Sequence, residues 1–291
     1  MSPEPRRVLD AALAAISQTL ARDGVRRPLV IGLCGAQGSG KSTLAARLAS
    51  GCEDDGISTA ILSIDDLYRT RAEREVLARQ VHPLLRTRGV PGTHDIDLGL
   101  SLFESLDRGR AVALPRFDKA ADDRAAKACW GRAAANTDVL IFEGWCVGAR
   151  PEPPAALAQP VNALERDEDP DGIWRRFVNE ALAGAYQKLF ARIDLLLLLA
   201  APSFAIVRDW RIEQERDLRA SAAVDAKGVM SDADVSRFVQ HYERLTRHIL
   251  VEMPARADLV AMLGEDRRPL NIIQEKGRVR CEQGKGGAHP V

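Results

Sequence analysis

The segment Gly35-Ala36-Gln37-Gly38-Ser39-Gly40-Lys41-Ser42 satisfies GxxxxGK[ST] at every fixed position, and no other feature constrains the chain as strongly. It follows Pro28 to Cys34 (PLVIGLC), a short β-branched apolar run that reads as a buried strand. It precedes Leu44 to Ala49 (LAARLA), a helix-forming run. Strand, glycine-rich turn and helix N-terminus in that order make a phosphate cradle. Glycines let backbone N–H groups converge without a Cβ in the way, and the helix end adds its positive dipole. The loop from Gly35 to Ser42, with Thr43 on the α-phosphate, is therefore expected to hold ATP. Lys41 should reach the β- and γ-phosphates and the Ser42 hydroxyl should bind Mg²⁺.

The rest of the chain continues the pattern. Thr59 to Ile64, Asp138 to Phe142 and Asp194 to Leu199 read as further strands, with Ala257 to Leu263 as a late edge strand. Helical stretches fall at about 95–107, 172–192, 203–220 and 231–250. Strands alternating with helices predict an α/β fold of the P-loop NTPase type. Its sheet should be mostly parallel, with five strands or slightly more, helices on both faces and a helical lid. Residues 1–27, with Leu9, Leu13, Ile16 and Leu20 at helical spacing, should form an N-terminal packing helix, 28–270 the main domain and 271–291 a tail. The lid is expected at about 203–230. Residues 150–171, rich in proline and acidic groups, read as a surface excursion, a lid or an interface.

Composition narrows the function. In 291 residues, 41 Lys plus Arg balance 41 Asp plus Glu, so the net charge is zero and a dedicated nucleic-acid binder is disfavoured. The longest apolar run, Leu195 to Pro202, is too short to span a bilayer, and no signal-peptide core appears. The five cysteines include no CxxC pair, so neither a disulfide framework nor a zinc site is indicated. A soluble cytoplasmic protein with reduced thiols is expected, with no nucleic-acid or membrane partner.

A nucleotide-binding loop does not say what is done with the nucleotide. The guanine-reading NKxD motif is absent. The strand DVLIFEG ends in Glu143-Gly144, and the second strand runs into Ser63-Ile64-Asp65-Asp66-Leu67-Tyr68. A carboxylate at a strand end beside the loop can accept the proton of an attacking hydroxyl and can contact the metal. Adjacent strand residues point to opposite faces, so one of Asp65 and Asp66 should face the γ-phosphate.

These segments resemble the phosphoribulokinase, uridine kinase and pantothenate kinase group. Ser63-Ile64-Asp65-Asp66-Leu67-Tyr68 is similar to its SxDxFY segment, which implies Asp65 as the catalytic base, with Leu67 in place of the usual Phe. Pro115-Arg116-Phe117-Asp118 is similar to the PxYD segment of the acceptor pocket, with Phe117 in place of Tyr. Phe142-Glu143-Gly144 resembles the strand-end FEG whose Glu lies near Mg²⁺. Arg88-Gly89, GTHD at 92–95, PRFDKAADDR, FEGWCVG, WRIEQE, GVMSDADVSRFVQHY and EDRRPLNI resemble the plant-type D-glycerate 3-kinase subfamily over nearly the whole chain.

The resemblance implies transfer of the γ-phosphoryl group to D-glycerate, giving 3-phosphoglycerate. A hydroxy-acid carboxylate needs a cationic partner, and Arg88, Arg116, Lys119 and Arg124 are candidates beside Asp118. His94 and Asp95 are candidates for the hydroxyls, and Tyr68 for a pocket wall or a direct ligand. Lid arginines of such kinases fall where Arg208 and Arg211 stand. Arg211 is the preferred charge stabiliser, against a plain i,i+4 pairing with Glu215. The alternatives are another acceptor (a nucleoside, pantothenate or a sugar acid) or a noncatalytic ATP-binding regulator.

Overall fold

The computed structural model describes residues 3–221 and 231–274. Its strands are β1 (Leu29–Gly35), β2 (Thr59–Ser63), β3 (Val112–Leu114), β4 (Phe117–Asp118), β5 (Asp123–Arg124), β6 (Gly131–Ala133), β7 (Val139–Gly144), β8 (Leu195–Ala200), β9 (Leu259–Leu263) and β10 (Pro269–Gln274). The helices are α1 (Pro3–Leu20), α2 (Lys41–Asp54), α3 (Arg71–Gln80), α4 (Ile96–Asp107), α5 (Ala163–Glu168), α6 (Ile173–Ala181), α7 (Gln187–Phe190), α8 (Phe204–Ser221) and α9 (Asp232–Glu252).

Six strands form the main sheet in the order β10-β9-β8-β1-β7-β2. All neighbours are parallel except β10, which runs antiparallel to β9. Every residue of β1 is buried, because both faces of this central strand are covered. Leu29, Ile31 and Leu33 pack with Ile16 of α1 and Leu48 of α2 on one face. Val30 and Cys34 pack on the other face, in a core with Phe103 of α4 and Tyr242 and Leu245 of α9. That alternation is the two-residue period of a strand turned into two cores. The parallel register sets Ser63 beside Glu143 and Leu33 beside Glu143, so the C-terminal ends of β2, β7 and β1 come out together.

The structure departs from the sequence reading in four places. The run ending at Leu263 is not an edge strand, because β10 covers it. The expected tail from residue 271 thus begins inside a strand, and 275–291 lie outside the described residues. β10 leaves Leu270 and Ile273 exposed and is held by backbone pairing, so its pattern carries little strand signal. Helix α3 was not anticipated from its mostly polar residues, although Thr70 and Glu73 form a complete capping box before it. The stretch 172–192 is broken by a π-turn at Leu182–Tyr186, where Gly184 leaves helical geometry.

The fourth departure is the 150–171 excursion, which is fastened to α9 rather than free as a lid. Arg244 of α9 donates to both carboxylate oxygens of Glu165 at 2.8 and 2.7 Å, and to the carbonyls of Ala156 and Gln159 at 3.0 and 2.6 Å. Leu157 and Leu164 are buried beneath it. Among the described residues no helix is long and apolar enough to cross a membrane. Residues 222–230 of the expected lid lie outside the described residues.

Candidate active site

Gly38 and Gly40 adopt φ of 78° and 85°, the left-handed region that favours glycine, and bend the chain from β1 into α2. First-turn amides of a helix have no intrahelical acceptor, so the start of α2 presents them to the loop. Gln37, Gly38, Lys41 and Ser42 open onto a cleft of about 270 Å³. Gly35, Ala36 and Ser39 are buried behind it, and Ala36 belongs to the core under the loop. Thr43, the third residue of α2, is exposed and does not line the cleft.

The strand ends supply two carboxylates. Ser42 Oγ donates to Glu143 Oε1 at 3.0 Å. The other oxygen, Glu143 Oε2, is buried with no hydrogen-bond partner. A buried carboxylate oxygen left bare is costly unless a cation completes it. Ser42 and Glu143 therefore fit a hard cation with oxygen ligands, and Asp65 stands on the same cleft as a third oxygen donor.

Asp65 and Asp66 lie in a 3-10 turn (Ile64–Leu67), not on the strand, yet they still face opposite ways. Asp65 lines the cleft. Its Oδ1 accepts from the Tyr68 hydroxyl at 2.8 Å and its Oδ2 from Lys119 Nζ at 2.7 Å. Burial pushes this carboxyl up, but the charges of Lys119 and Lys41 and the two hydrogen bonds outweigh it and hold the pKa at about 2. Asp66 turns to the β4 side, accepting from Arg116 at 2.9 Å and from the Phe117 amide at 3.0 Å. Burial raises its pKa.

The structure sorts the expected acceptor residues into two groups. Tyr68, Arg88 and Lys119 line the cleft. Arg88 is ion-paired with Asp122, and its Nη2 reaches the Lys119 carbonyl at 3.4 Å. The others do not line it. His94 is buried behind Tyr68, stacked on its ring at 4.6 Å, with Nδ1 2.6 Å from the Tyr186 hydroxyl. Burial lowers its pKa to about 3, so it stands neutral. Asp95 caps α4 and accepts from Arg124 at 3.0 Å, while Arg124 also donates to the Tyr68 carbonyl. Arg116 is taken by Asp66, and Asp118 accepts from the amides of Ala120 and Ala121. These five are thus fastened by neighbours and do not line the cleft.

On α8, Arg211 and Gln214 line the cleft. Arg211 is also paired with Glu215 at 2.7 Å, the plain i,i+4 alternative, so it faces the cleft from a fixed position. Arg208 points elsewhere, exposed and paired with Asp209, and sharing a helix side with Arg211 did not bring it to the cleft. Sequence reasoning missed Ser63, Trp145, Phe238 and Tyr242, which complete the lining. Trp145 Nε1 donates to the Gly89 carbonyl at 2.9 Å, and the Tyr242 hydroxyl to the Arg88 carbonyl at 3.0 Å. The sequence offered one signal for them: Ser63 opens the SxDxFY-like segment, and FEGWCVG and SRFVQHY, which hold the three aromatics, also lie in segments carrying the family resemblance.

The cleft thus joins a phosphate loop to two carboxylates, Asp65 and Glu143, and to three cations beyond the loop, Arg88, Lys119 and Arg211. The family model for the phosphoribulokinase/uridine kinase family matches residues 30–149. The uncharacterized kinase mug58 of Schizosaccharomyces pombe is 37% identical over 227 residues, 74% of this chain and 79% of that protein. The chloroplastic D-glycerate 3-kinase of Arabidopsis thaliana is 30% identical over 262 residues, covering 84% of this chain but only 54% of that longer protein. A solved structure of D-glycerate 3-kinase from Cryptococcus neoformans shares the fold, with TM-score 0.77 at 24% identity over 92% of this chain and 99% of that one. With the loop, the strand-end carboxylates and a kinase relative 37% identical and matched over 79% of its length, the chain belongs to the phosphoribulokinase/uridine kinase family of ATP-dependent small-molecule kinases.

Proposed function

We propose that the protein phosphorylates D-glycerate at its 3-hydroxyl, with ATP as donor and Mg²⁺ at Ser42, Asp65 and Glu143. The observation that carries this reading is the placement of Arg88 and Lys119 beside Asp65 in the same cleft as Lys41. A small hydroxy acid needs a cation for its carboxylate and a carboxylate base for its reacting hydroxyl, and the cleft offers both. The similarity to two D-glycerate 3-kinases supports the same acceptor.

Lys41 and the loop amides hold the β- and γ-phosphates, and Arg211 bears on the charge of the transferring group. Asp65 orients the 3-hydroxyl and takes its proton as the new O–P bond forms and the bond to the β–γ bridging oxygen breaks. A loose phosphoryl-transfer transition state asks little basicity of Asp65, so positioning of the hydroxyl is its larger part. Bound at its three oxygen ligands, Mg²⁺ would neutralise charge building on the phosphates. Trp145, Phe238 and Tyr242 wall the cleft against water.

The test is a coupled ADP-release assay across hydroxy acids, nucleosides and pantothenate. D-glycerate is expected to give the highest kcat/KM; a nucleoside or pantothenate as best acceptor would overturn the assignment while leaving the kinase fold intact.

A further inference from the structure

Lys119 has an unusual position among the cleft cations. Arg88 has Asp122 as its ion-pair partner and Arg211 has Glu215, and neither carboxylate lines the cleft. Those two partners lie outside the cleft, so neither arginine is paired with a reacting group. The carboxylate that Lys119 pairs with is Asp65, the group that must receive the acceptor's proton. With Tyr68 on one oxygen and Lys119 on the other, neither Asp65 oxygen is left without a donor.

The Lys119 pairing is also easy to undo. Its side chain is 63% exposed, so water can take over the ammonium when it leaves the carboxylate. The backbone beneath it is held: the Asp118 side chain accepts from the Ala120 and Ala121 amides, and Arg88 reaches the Lys119 carbonyl. A flexible four-carbon stem on a fixed turn lets the ammonium change partners without moving the hairpin. The Arg88 contact also roots the two cations next to each other, as a grip for one anion.

We propose that Lys119 gates the base: it covers Asp65 until the carboxylate of an anionic acceptor draws it away. This rests on the hydroxy-acid reading above. It makes the acceptor's negative charge a condition for turnover, beyond its contribution to binding. Attack by water forms an O–P bond, breaks the bond to the β–γ bridging oxygen and, in the base-assisted route, gives the proton to Asp65. Water carries no charge to move Lys119, so futile hydrolysis is suppressed.

The experiment compares wild type, Lys119→Met and Lys119→Arg for ATP hydrolysis without acceptor, and for turnover of D-glycerate and of glycerol, its neutral analogue. In Lys119→Met, acceptor-free hydrolysis should rise at least about tenfold, as expected when a positioned base is freed. The preference for glycerate over glycerol in kcat should collapse. Lys119→Arg keeps a cation over Asp65, so its acceptor-free hydrolysis should rise far less than in Lys119→Met; an equal rise in the two variants would deny the cover. If Lys119→Met raises only the glycerate KM, with hydrolysis and kcat unchanged, Lys119 is a plain carboxylate-binding residue and the gate is wrong. The hydrolysis arm needs no glycerate, so it separates failure of the gate from a wrong acceptor, which wild-type turnover of D-glycerate reports by itself.

Discussion

Asp65 and Asp66 are neighbours in one 3-10 turn and serve two different structures. Asp65 holds Tyr68 and Lys119 at the cleft, while Asp66 holds Arg116 and the Phe117 amide where the separate β4–β5 hairpin meets the turn. Their substitutions should therefore fail differently. Asp65→Asn should lower kcat by roughly two to four orders of magnitude, the range for a lost general base. Asp66→Asn weakens a charged pair in a mostly buried position and should lower stability by about 1–3 kcal/mol, with near-normal kcat in the folded fraction. Steady-state kinetics and thermal melts on both variants check this; an inactive but stable Asp66→Asn beside an active Asp65→Asn would reverse the roles.

Lys41 lines the cleft at the first position of α2. Lys41→Ala removes one preorganised charge from the phosphates and should cut kcat by at least about a hundredfold. The melting temperature without nucleotide should hardly change, because the side chain belongs to neither core. Near-normal turnover would remove Lys41 from the phosphate site.

Gly89 has φ of 131°, and a Cβ built there would overlap the Tyr242 hydroxyl. Its carbonyl also receives the Trp145 indole. Gly89→Ala should push both aromatic walls of the cleft, raising the acceptor KM and costing about 1–3 kcal/mol of stability. Gly56→Ala is the comparison: φ is 75°, but nothing lies within 4 Å of its Cβ, so it should cost about 1 kcal/mol and leave KM alone. Equal KM values for the two variants would deny Gly89 its part in the wall.

His241 is buried against Trp174, with Nδ1 donating to the Phe238 carbonyl. Burial, aided by the Arg237 charge, lowers its pKa to about 4. Between about pH 6.5 and 4 the unfolded chain binds a proton at this histidine that the folded protein refuses. Stability is therefore lost as pH falls through that window, by about 1.4 kcal/mol per unit. Melting curves of wild type and His241→Phe at pH 7 and 5 should show the smaller decline in the variant. Parallel declines would mean that His241 takes up its proton in the folded state.

Much of this protein is written locally. The phosphate loop, its strand and its helix are contiguous, so β1, Gly38, Gly40, Lys41 and Ser42 followed from residue order and glycine chemistry alone. The parallel strands followed from short apolar runs between helical ones, and Asp65 from its place at a strand end together with the family resemblance. The assignment of the cations was a different matter. Arg88 and Lys119 reach the cleft while Arg116 and Arg124 are tied to Asp66 and Asp95, and nothing in the motifs separates the four. Which arginine is bound by which carboxylate depends on pairs 29 to 50 residues apart in the chain, which only the folded hairpin brings together. The same holds for Tyr242, which closes the cleft by reaching the Arg88 carbonyl 154 residues away, and for β10, which exists because β9 offered an unpaired edge. Residue type decided what each side chain can do. Tertiary packing decided which of them face the cleft, since every one of these cations is paired and only the place of its carboxylate sets where it points: Asp122 and Asp65 hold Arg88 and Lys119 at the cleft, while Asp66 and Asp95 hold Arg116 and Arg124 away from it.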